Sequence, residues 1–298
     1  SDPEVRRLNL KMAEVFGVKP SQGLMTNGSD EILNFAFMAF CDSGHPAVFP
    51  DITYGFYSVF ARLYGIEADI IPLKEDYSLD VNDYCGIGKT VVIANPNAPT
   101  GMAVSLSDIE KILVSNPDNI VVIDEAYVDF GADSAVTLTN KYHNLIVVQT
   151  FSKSRQLAGA RLGFAIAHED IITDLNTVRF STNPYNINRL TLLAGEASIK
   201  DTAYFESTRA EIIANREYTV AELEKRGFRV LPSKTNFAFA AHNSASGEEL
   251  YSKLKARGIL VRYFNKERLS DFLRITIGTK EQMDALLNTL DAILSERE

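Results

Sequence analysis

The chain has 298 residues, a formal net charge of -9, 46% hydrophobic and 23% charged residues, 17 glycines and 10 prolines. At roughly 100 to 200 residues per domain this makes about two domains, and the balance of apolar and charged residues excludes wholesale disorder, collagen-like repetition and a disulfide scaffold. The acidic surplus disfavours nonspecific nucleic-acid binding, which depends on Lys and Arg displacing counterions, and leaves small molecules as the expected partners.

Ser1-Asp2-Pro3-Glu4 supplies a capping residue, a proline suited to the first helical turn and an acid, followed by spaced apolar residues at Val5, Leu8, Met12, Val15 and Phe16. The chain is therefore predicted to begin on a helix, without an initiator Met, which points to a segment upstream. Residues 35–41 form the longest apolar stretch, far short of the roughly 20 residues a membrane span requires, and the first residues of this sequence do not show the basic region followed by an apolar core expected of a signal peptide.

Residues 90–150 repeat one pattern, a short β-branched run followed by polar residues able to do chemistry. Val91-Val92-Ile93 leads to Asn95-Pro96-Asn97, Ile120-Val121-Val122-Ile123 to Asp124-Glu125, and Ile146-Val147-Val148 to Ser152-Lys153. Such runs, separated by helical stretches such as 107–114, predict buried strands of a parallel sheet, whose carboxyl ends gather ligand-binding groups in one crevice. Beyond residue 188 come a long helix over 202–226, short strands at 228–231, 237–240, 259–261 and 273–277, and helices over 247–257 and 280–295. We expect a large α/β domain over 1–200 and a smaller α+β domain over 201–298. Cys41 and Cys85 have no metal-like spacing and His45, His143, His168 and His242 are scattered, so no metal site is expected, and the thiols read as free in a reducing cytoplasm.

Asp124 follows apolar strand residues, where an ionised carboxylate is costly without a partner and needs a cation; alone, it reads more readily as a strand-end acid that caps a helix or pairs with an arginine. Lys153 lies beyond the next run and becomes a nucleophile where burial lowers its pKa, and Arg161 follows eight residues on. Thr26-Asn27-Gly28-Ser29-Asp30-Glu31 precedes an apolar helical run, as a glycine turn opening a helix would, and free N–H groups there suit a phosphate.

Together NGSDE (27–31), TYGFY (53–57), NPNAPTG (95–101), DEAYVDF (124–130), TFSKSRQLAGARLG (150–163) and LRITIG (273–278) resemble, in that order and along the whole chain, the fold-type I pyridoxal-phosphate aminotransferases and, within them, the histidinol-phosphate aminotransferase family. The resemblance implies a large α/β/α pyridoxal-phosphate-binding domain with a mostly parallel central sheet and a smaller α+β C-terminal domain. It implies a cytoplasmic homodimer that binds neither nucleic acid nor membrane and exchanges the amino group of histidinol phosphate with 2-oxoglutarate in histidine biosynthesis. Lys153 would hold the cofactor and then move the proton at the substrate Cα. Asp124 would face the pyridine nitrogen; an opposite charge at about 4 Å is worth roughly 4 kcal/mol at an effective dielectric of 20, on the order of three pKa units. Gly28 with the backbone of Ser29 and Asp30, the Ser152 hydroxyl and the Arg161 fork would hold the phosphate. Tyr54 would stack on the ring and Tyr127 donate to its phenolic oxygen. Arg274, with Arg262 as a second candidate, would receive the substrate anion.

This chain departs from the family where relatives commonly carry Asn just before Pro-Thr-Gly: Ala98 stands there, so Asn97, or Tyr127 alone, is expected on the phenolic oxygen. The upstream segment that brings relatives an Asn-Pro stretch and a Tyr for the partner's cofactor phosphate is not among these residues. Threonine-phosphate decarboxylase and a broader aromatic aminotransferase share the same machinery and are the alternatives. A noncatalytic ligand sensor on this scaffold is disfavoured by the presence of Lys153, Asp124 and Arg161 together and by the lack of a basic helix-turn-helix stretch.

Overall fold

A computed structural model of the chain describes residues 2–296. The apolar runs form a seven-stranded sheet: β1 (Gly23–Thr26), β2 (Ala47–Pro50), β3 (Ala68–Ile71), β4 (Thr90–Ala94), β5 (Val121–Asp124), β6 (Leu145–Thr150) and β7 (Gly163–Ala167), in the order β1-β7-β6-β5-β4-β2-β3. Neighbours from β3 through β6 are parallel, while β7 runs antiparallel to β6 and β1.

Because side chains alternate faces along a strand, each run serves two cores. Val91, Ile93, Val121, Ile123, Leu145 and Val147 pack with Leu8 and Met12 of α1 (Arg6–Phe16) and Ile109 and Ile112 of α4 (Leu106–Ser115). Val92, Val122, Ile146 and Val148 face Ile32 and Phe37 of α2 (Ser29–Phe40), Tyr57 and Phe60 of α3 (Phe56–Tyr64) and Ile171 and Leu175 of α5 (Glu169–Thr182). The result is a three-layer α/β/α domain. Both faces are covered, which is why the strands read as continuous apolar runs.

The first helix starts later than expected. Val5 adopts a left-handed backbone, φ 52°, so the helix cannot extend back through it; the Asp2 carboxylate instead accepts from the N–H groups of Glu4 at 3.1 Å and Arg6 at 3.0 Å. Val15, expected on the apolar face, is exposed. Ser1 lies outside the described residues.

α6 (Arg189–Lys200) packs on α1, whereas α7 (Thr202–Lys225) packs on the second sheet and on α9 (Lys280–Ser295). That sheet is antiparallel, in the order β10-β11-β9-β8, from β8 (Phe228–Val230), β9 (Phe237–His242), β10 (Arg262–Tyr263) and β11 (Phe272–Thr276). With α8 (Gly247–Ala256) it forms the smaller C-terminal domain around Leu223, Phe228, Leu250, Leu273, Leu286 and Leu290. The strand expected at 259–261 falls instead at Arg262–Tyr263. Gly258 turns the chain at φ 79°, and the Ile259 N–H bonds back to the Leu254 carbonyl at 3.0 Å, so this donor closes the helix end instead of joining a ladder. No helix among the described residues is long and apolar enough to cross a membrane.

Candidate active site

The carboxyl ends of β4, β5 and β6 open on a cavity of about 150 Å³ lined by Ser29, Asp30, Tyr54, Ala94, Pro96, Ala98, Asp124, Ala126, Tyr127, Thr150, Ser152, Lys153, Ala158 and Arg161. The structure thus brings to one place Ser29 and Asp30 from the start of α2, Asp124 and Tyr127 from the end of β5, and Ser152, Lys153 and Arg161 from beyond β6.

Asp124 is buried, and burial pushes its carboxyl up to about 6 against the pull of its donors, the Tyr57 hydroxyl at 2.8 Å on Oδ2 and the Ala126 N–H at 3.2 Å on Oδ1. Tyr57 is fully buried and its phenol is held neutral, chiefly by burial and then by the adjacent carboxylate. The Lys153 Nζ lies 5.3 Å from the Tyr127 ring centroid. Tyr54 sets its hydroxyl on Asp30 Oδ1 at 2.8 Å and its ring edge-on to Tyr57 at 5.6 Å; burial, then Asp30, raises its pKa.

The anion cradle depends on close approach of backbones. Gly28 turns at φ 85° immediately before α2, and a Cβ there would lie 2.6 Å from Arg161 Nη2. A Cβ on Gly163 would lie 2.4 Å from the Ser29 nitrogen, so only glycine lets β7 pass under the start of α2. Arg161 reaches Asp30 Oδ2 at 3.2 Å and Ser152 Oγ at 3.5 Å. A guanidinium, a hydroxyl and the positive end of a 12-residue helix therefore converge.

Asn97 is placed elsewhere. Its Oδ1 accepts from the Thr53 hydroxyl at 2.8 Å, and its Nδ2 donates to the Ile52 carbonyl at 2.9 Å and the Thr100 hydroxyl at 3.0 Å. It lines a separate cavity of about 310 Å³ with Leu73, Tyr77 and Met102, while Ala98 faces the first one. Its amide is thus engaged within the loop rather than presented beside Tyr127.

Arg262 and Arg274 do not line the cavity; they stand opposite each other in the β10–β11 ladder. Like charges in register repel, and no carboxylate among the described residues pairs with either one. Arg274 Nε is buried without a hydrogen-bond partner. Its guanidinium lies 5.1 Å from the Phe237 ring centroid, and the Tyr127 ring meets the same Phe237 edge-on at 5.2 Å. One aromatic ring therefore separates Arg274 from Tyr127.

Two side chains escaped the sequence reading. Tyr57 is the phenol of the TYGFY motif that reaches Asp124, and its signal was its place in the same motif as Tyr54, in the first turn of the helix that follows. Glu125, beside Asp124, is buried on the opposite side of the strand, where it accepts from the Ser134 hydroxyl at 2.6 Å, the Ala135 N–H at 2.6 Å and the Gln149 amide at 2.8 Å; burial pushes it up to about 7.

An amine, a buried carboxylate and an anion cradle at the strand ends of an α/β/α domain define a fold-type I pyridoxal-phosphate enzyme. The chain belongs to the aminotransferase class I and II family, whose sequence model matches residues 3–290. It is 49% identical over 294 residues to the histidinol-phosphate aminotransferase of Brachyspira hyodysenteriae, covering 98% of this chain and 83% of that one. The crystal structure of the histidinol-phosphate aminotransferase from Clostridium acetobutylicum superimposes with a TM-score of 0.91 at 26% identity, over 99% of this chain and 90% of that one. The Sinorhizobium meliloti histidinol-phosphate aminotransferase, solved in complex with pyridoxal-5'-phosphate, has the same fold, with a TM-score of 0.90 at 22% identity over 100% and 83% of the two chains.

This chain is an enzyme that uses pyridoxal phosphate, and its residues fit that group. Lys153 offers the amine, Asp124 a buried acceptor whose companions are donors, and the glycine-lined turn before α2 a phosphate cradle into which a Cβ would intrude.

Proposed function

We propose that the chain transfers the amino group between L-histidinol phosphate and 2-oxoglutarate, interconverting these with imidazole acetol phosphate and glutamate, as a step of histidine biosynthesis. The observation that carries the reading is the convergence of Lys153, Asp124 and Arg161 on one cavity, with an unneutralised arginine pair one aromatic ring away. The near-full-length likeness to the Brachyspira enzyme supplies the substrate.

The cofactor supplies an aldehyde that exchanges for an amine and a ring that accepts electrons. Lys153 would hold the aldehyde, and its amine would carry the proton to and from the substrate Cα as general base and acid. Asp124, held by Tyr57 and the Ala126 N–H, keeps the ring nitrogen protonated. The Ser29 and Asp30 N–H groups, Ser152 and Arg161 would bind the phosphate, Tyr54 would cover the ring, and Tyr127 would donate to the phenolic oxygen without Asn97. Arg274 and Arg262 receive the distal anion, a phosphate in one half-reaction and a carboxylate in the other.

We also place the domain division at residues 200/201, between the helix packed on α1 and the helix packed on the second sheet. The chain acts as a homodimer, a reading supported by Met38, Phe56, Leu63 and Tyr64, apolar or aromatic side chains exposed on α2 and α3, and in the cytoplasm, where Cys41 and Cys85 stay free thiols. Light scattering tests the first statement and fractionation the second.

Cofactor-loaded protein mixed with histidinol phosphate, then with 2-oxoglutarate, should lose and regain its visible absorption band. A response to other amino acids but none to histidinol phosphate would overturn the substrate. Steady release of carbon dioxide from phosphothreonine without amino transfer would reassign the enzyme as a decarboxylase. Borohydride trapping followed by peptide mass analysis should label Lys153 alone.

A further inference from the structure

We infer that Tyr77 and Arg268 form a clasp between the two domains that sets where the Arg262–Arg274 pair stands, which makes them positioning residues for the anionic end of the substrate; this rests on the reading of that pair given above.

The ladder alone holds the pair weakly, since β10 contributes only Arg262 and Tyr263. The segment 264–271, which joins β10 to β11, folds on itself through bonds from the N–H groups of Leu269 and Ser270 to the Lys266 carbonyl, each at 3.0 Å. Its position relative to the large domain is set by Arg268. The Tyr77 hydroxyl donates to the Arg268 carbonyl at 2.6 Å, and the Arg268 guanidinium returns a bond to the Lys74 carbonyl at 2.5 Å. The same guanidinium sits 5.1 Å from the Tyr77 ring centroid and reaches Asp51 Oδ2 at 3.4 Å. The Tyr77 ring is buried, edge-on at 5.3 Å to Phe272 of β11, two residues from Arg274.

Both partners have left-handed backbones, φ 69° at Tyr77 and φ 64° at Arg268, a conformation bulky L-residues avoid unless their surroundings impose it. Here each bulky side chain makes the bonds that hold the other. Asp51 extends the connection, because its Oδ1 accepts from the N–H groups of Ile52 at 2.8 Å and Leu73 at 2.9 Å. Three residues beyond Asp51 the chain brings Tyr54 to the cofactor cavity. The clasp therefore ties the segment that places Tyr54 to the loop that places the arginines, while Asp51, Tyr77 and Arg268 lie outside the lining of that cavity. Tyr54 keeps its own bond to Asp30 at 2.8 Å, so loosening the clasp moves the arginine pair rather than the cofactor site, and the cost falls on affinity for the substrate anion.

The test compares Tyr77→Phe, Arg268→Gln and Arg274→Gln in the cofactor-loaded enzyme with histidinol phosphate as donor. Tyr77→Phe deletes one oxygen and keeps the ring on Phe272, which protects folding. We expect KM to rise about tenfold in each clasp variant, with kcat within about twofold and the cofactor spectrum unchanged, and at least as large a rise in KM in Arg274→Gln. Arg268→Lys, able to reach the Lys74 carbonyl but not to fork, should recover part of the loss. A raised KM in Arg274→Gln with an unchanged KM in both clasp variants overturns the clasp and spares the receptor. An unchanged KM in Arg274→Gln overturns the receptor, and the clasp with it. A lowered melting temperature with no KM change in the clasp variants shows a structural role only and overturns the proposal.

Discussion

The Tyr57 hydroxyl and Asp124 Oδ2 are joined by a 2.8 Å hydrogen bond in which both side chains are buried. Burial pushes the Asp124 carboxyl up to about 6, and the phenol opposes that push. Tyr57→Phe removes the bond without emptying the space, so Asp124 should keep its proton to a still higher pH. A hydrogen bond to a charged group is worth about 1.5–3 kcal/mol, about one to two pKa units, so the ionised fraction of Asp124 and with it pyridoxal-phosphate affinity at pH 7 should fall by roughly two- to fifteenfold. The deficit should widen toward pH 6, where more of the carboxyl is neutral, and narrow toward pH 8. Fluorescence titration of the cofactor-free protein at these pH values measures it, and a pH-independent deficit would count against the charge of Asp124 as the cause.

Glu125 has a different consequence. Its folded-state pKa of about 7 lies above the ordinary 4.5 because burial disfavours the charge. Between these values the unfolded chain has lost the proton that the folded chain retains, so stability from this group is complete below about pH 4.5 and declines as pH rises through 7. Glu125→Gln removes that dependence. From pH 5 to pH 8 the variant should gain on the wild type by about 2 kcal/mol in urea denaturation, whatever the offset from its altered hydrogen bonds. Parallel stability curves for the two proteins across this range would refute it.

Much of this was legible because the runs ending at Ala94, Ile123 and Val148 are apolar throughout and polar immediately after, so strand ends and chemistry were marked together. Which of the two neighbouring acids faces the cavity is not marked by apolar pattern alone, and the choice of Asp124 rested on the resemblance; the pleat of the strand turns Asp124 toward Tyr57 and Glu125 toward Gln149. Tyr57 acquires its role through a partner 67 residues away, a distance no local pattern encodes. Asn97, or Tyr127 alone, was expected on the phenolic oxygen because Ala98 stands at the usual Asn position, and the loop closes the Asn97 amide onto Thr53, Ile52 and Thr100. The apolar run at 259–261 looked like a strand because composition does not reveal that a helix end captures its backbone donor.

Gly163 offers a steric test of the phosphate cradle. A Cβ there would lie 2.4 Å from the Ser29 nitrogen and 2.6 Å from the Gly28 carbonyl carbon, both backbone atoms. Gly163→Ala should therefore displace the start of α2, with a loss of about 1–3 kcal/mol of stability from overpacking and a fall in cofactor affinity. Gly159→Ala, where a Cβ meets nothing within 4 Å, should change neither. Equal affinities for the two variants would mean that the cradle does not depend on this approach.

Arg216 joins the halves of the molecule from within. It is buried on α7, and its Nη1 donates to the Phe130 carbonyl at 2.8 Å and to the Thr235 carbonyl at 2.7 Å. Phe130 closes the short turn that follows Tyr127, and Thr235 precedes β9, whose Phe237 supports the Tyr127 ring. Burial lowers the arginine's pKa, yet a guanidinium keeps its charge at any physiological pH. Arg216→Met keeps most of the side-chain volume and leaves both carbonyls without this donor, so the cost should be about 3 kcal/mol. At the size of this chain that corresponds to a melting temperature lower by roughly 5 °C. With Phe130 released, Tyr127 loses its fixed distance to Lys153, and kcat should fall by more than KM rises, the reverse of the pattern expected for Arg268→Gln. Calorimetry and steady-state kinetics on the two variants separate these effects, and a kcat unchanged in Arg216→Met would show that Phe237 alone holds Tyr127 in place.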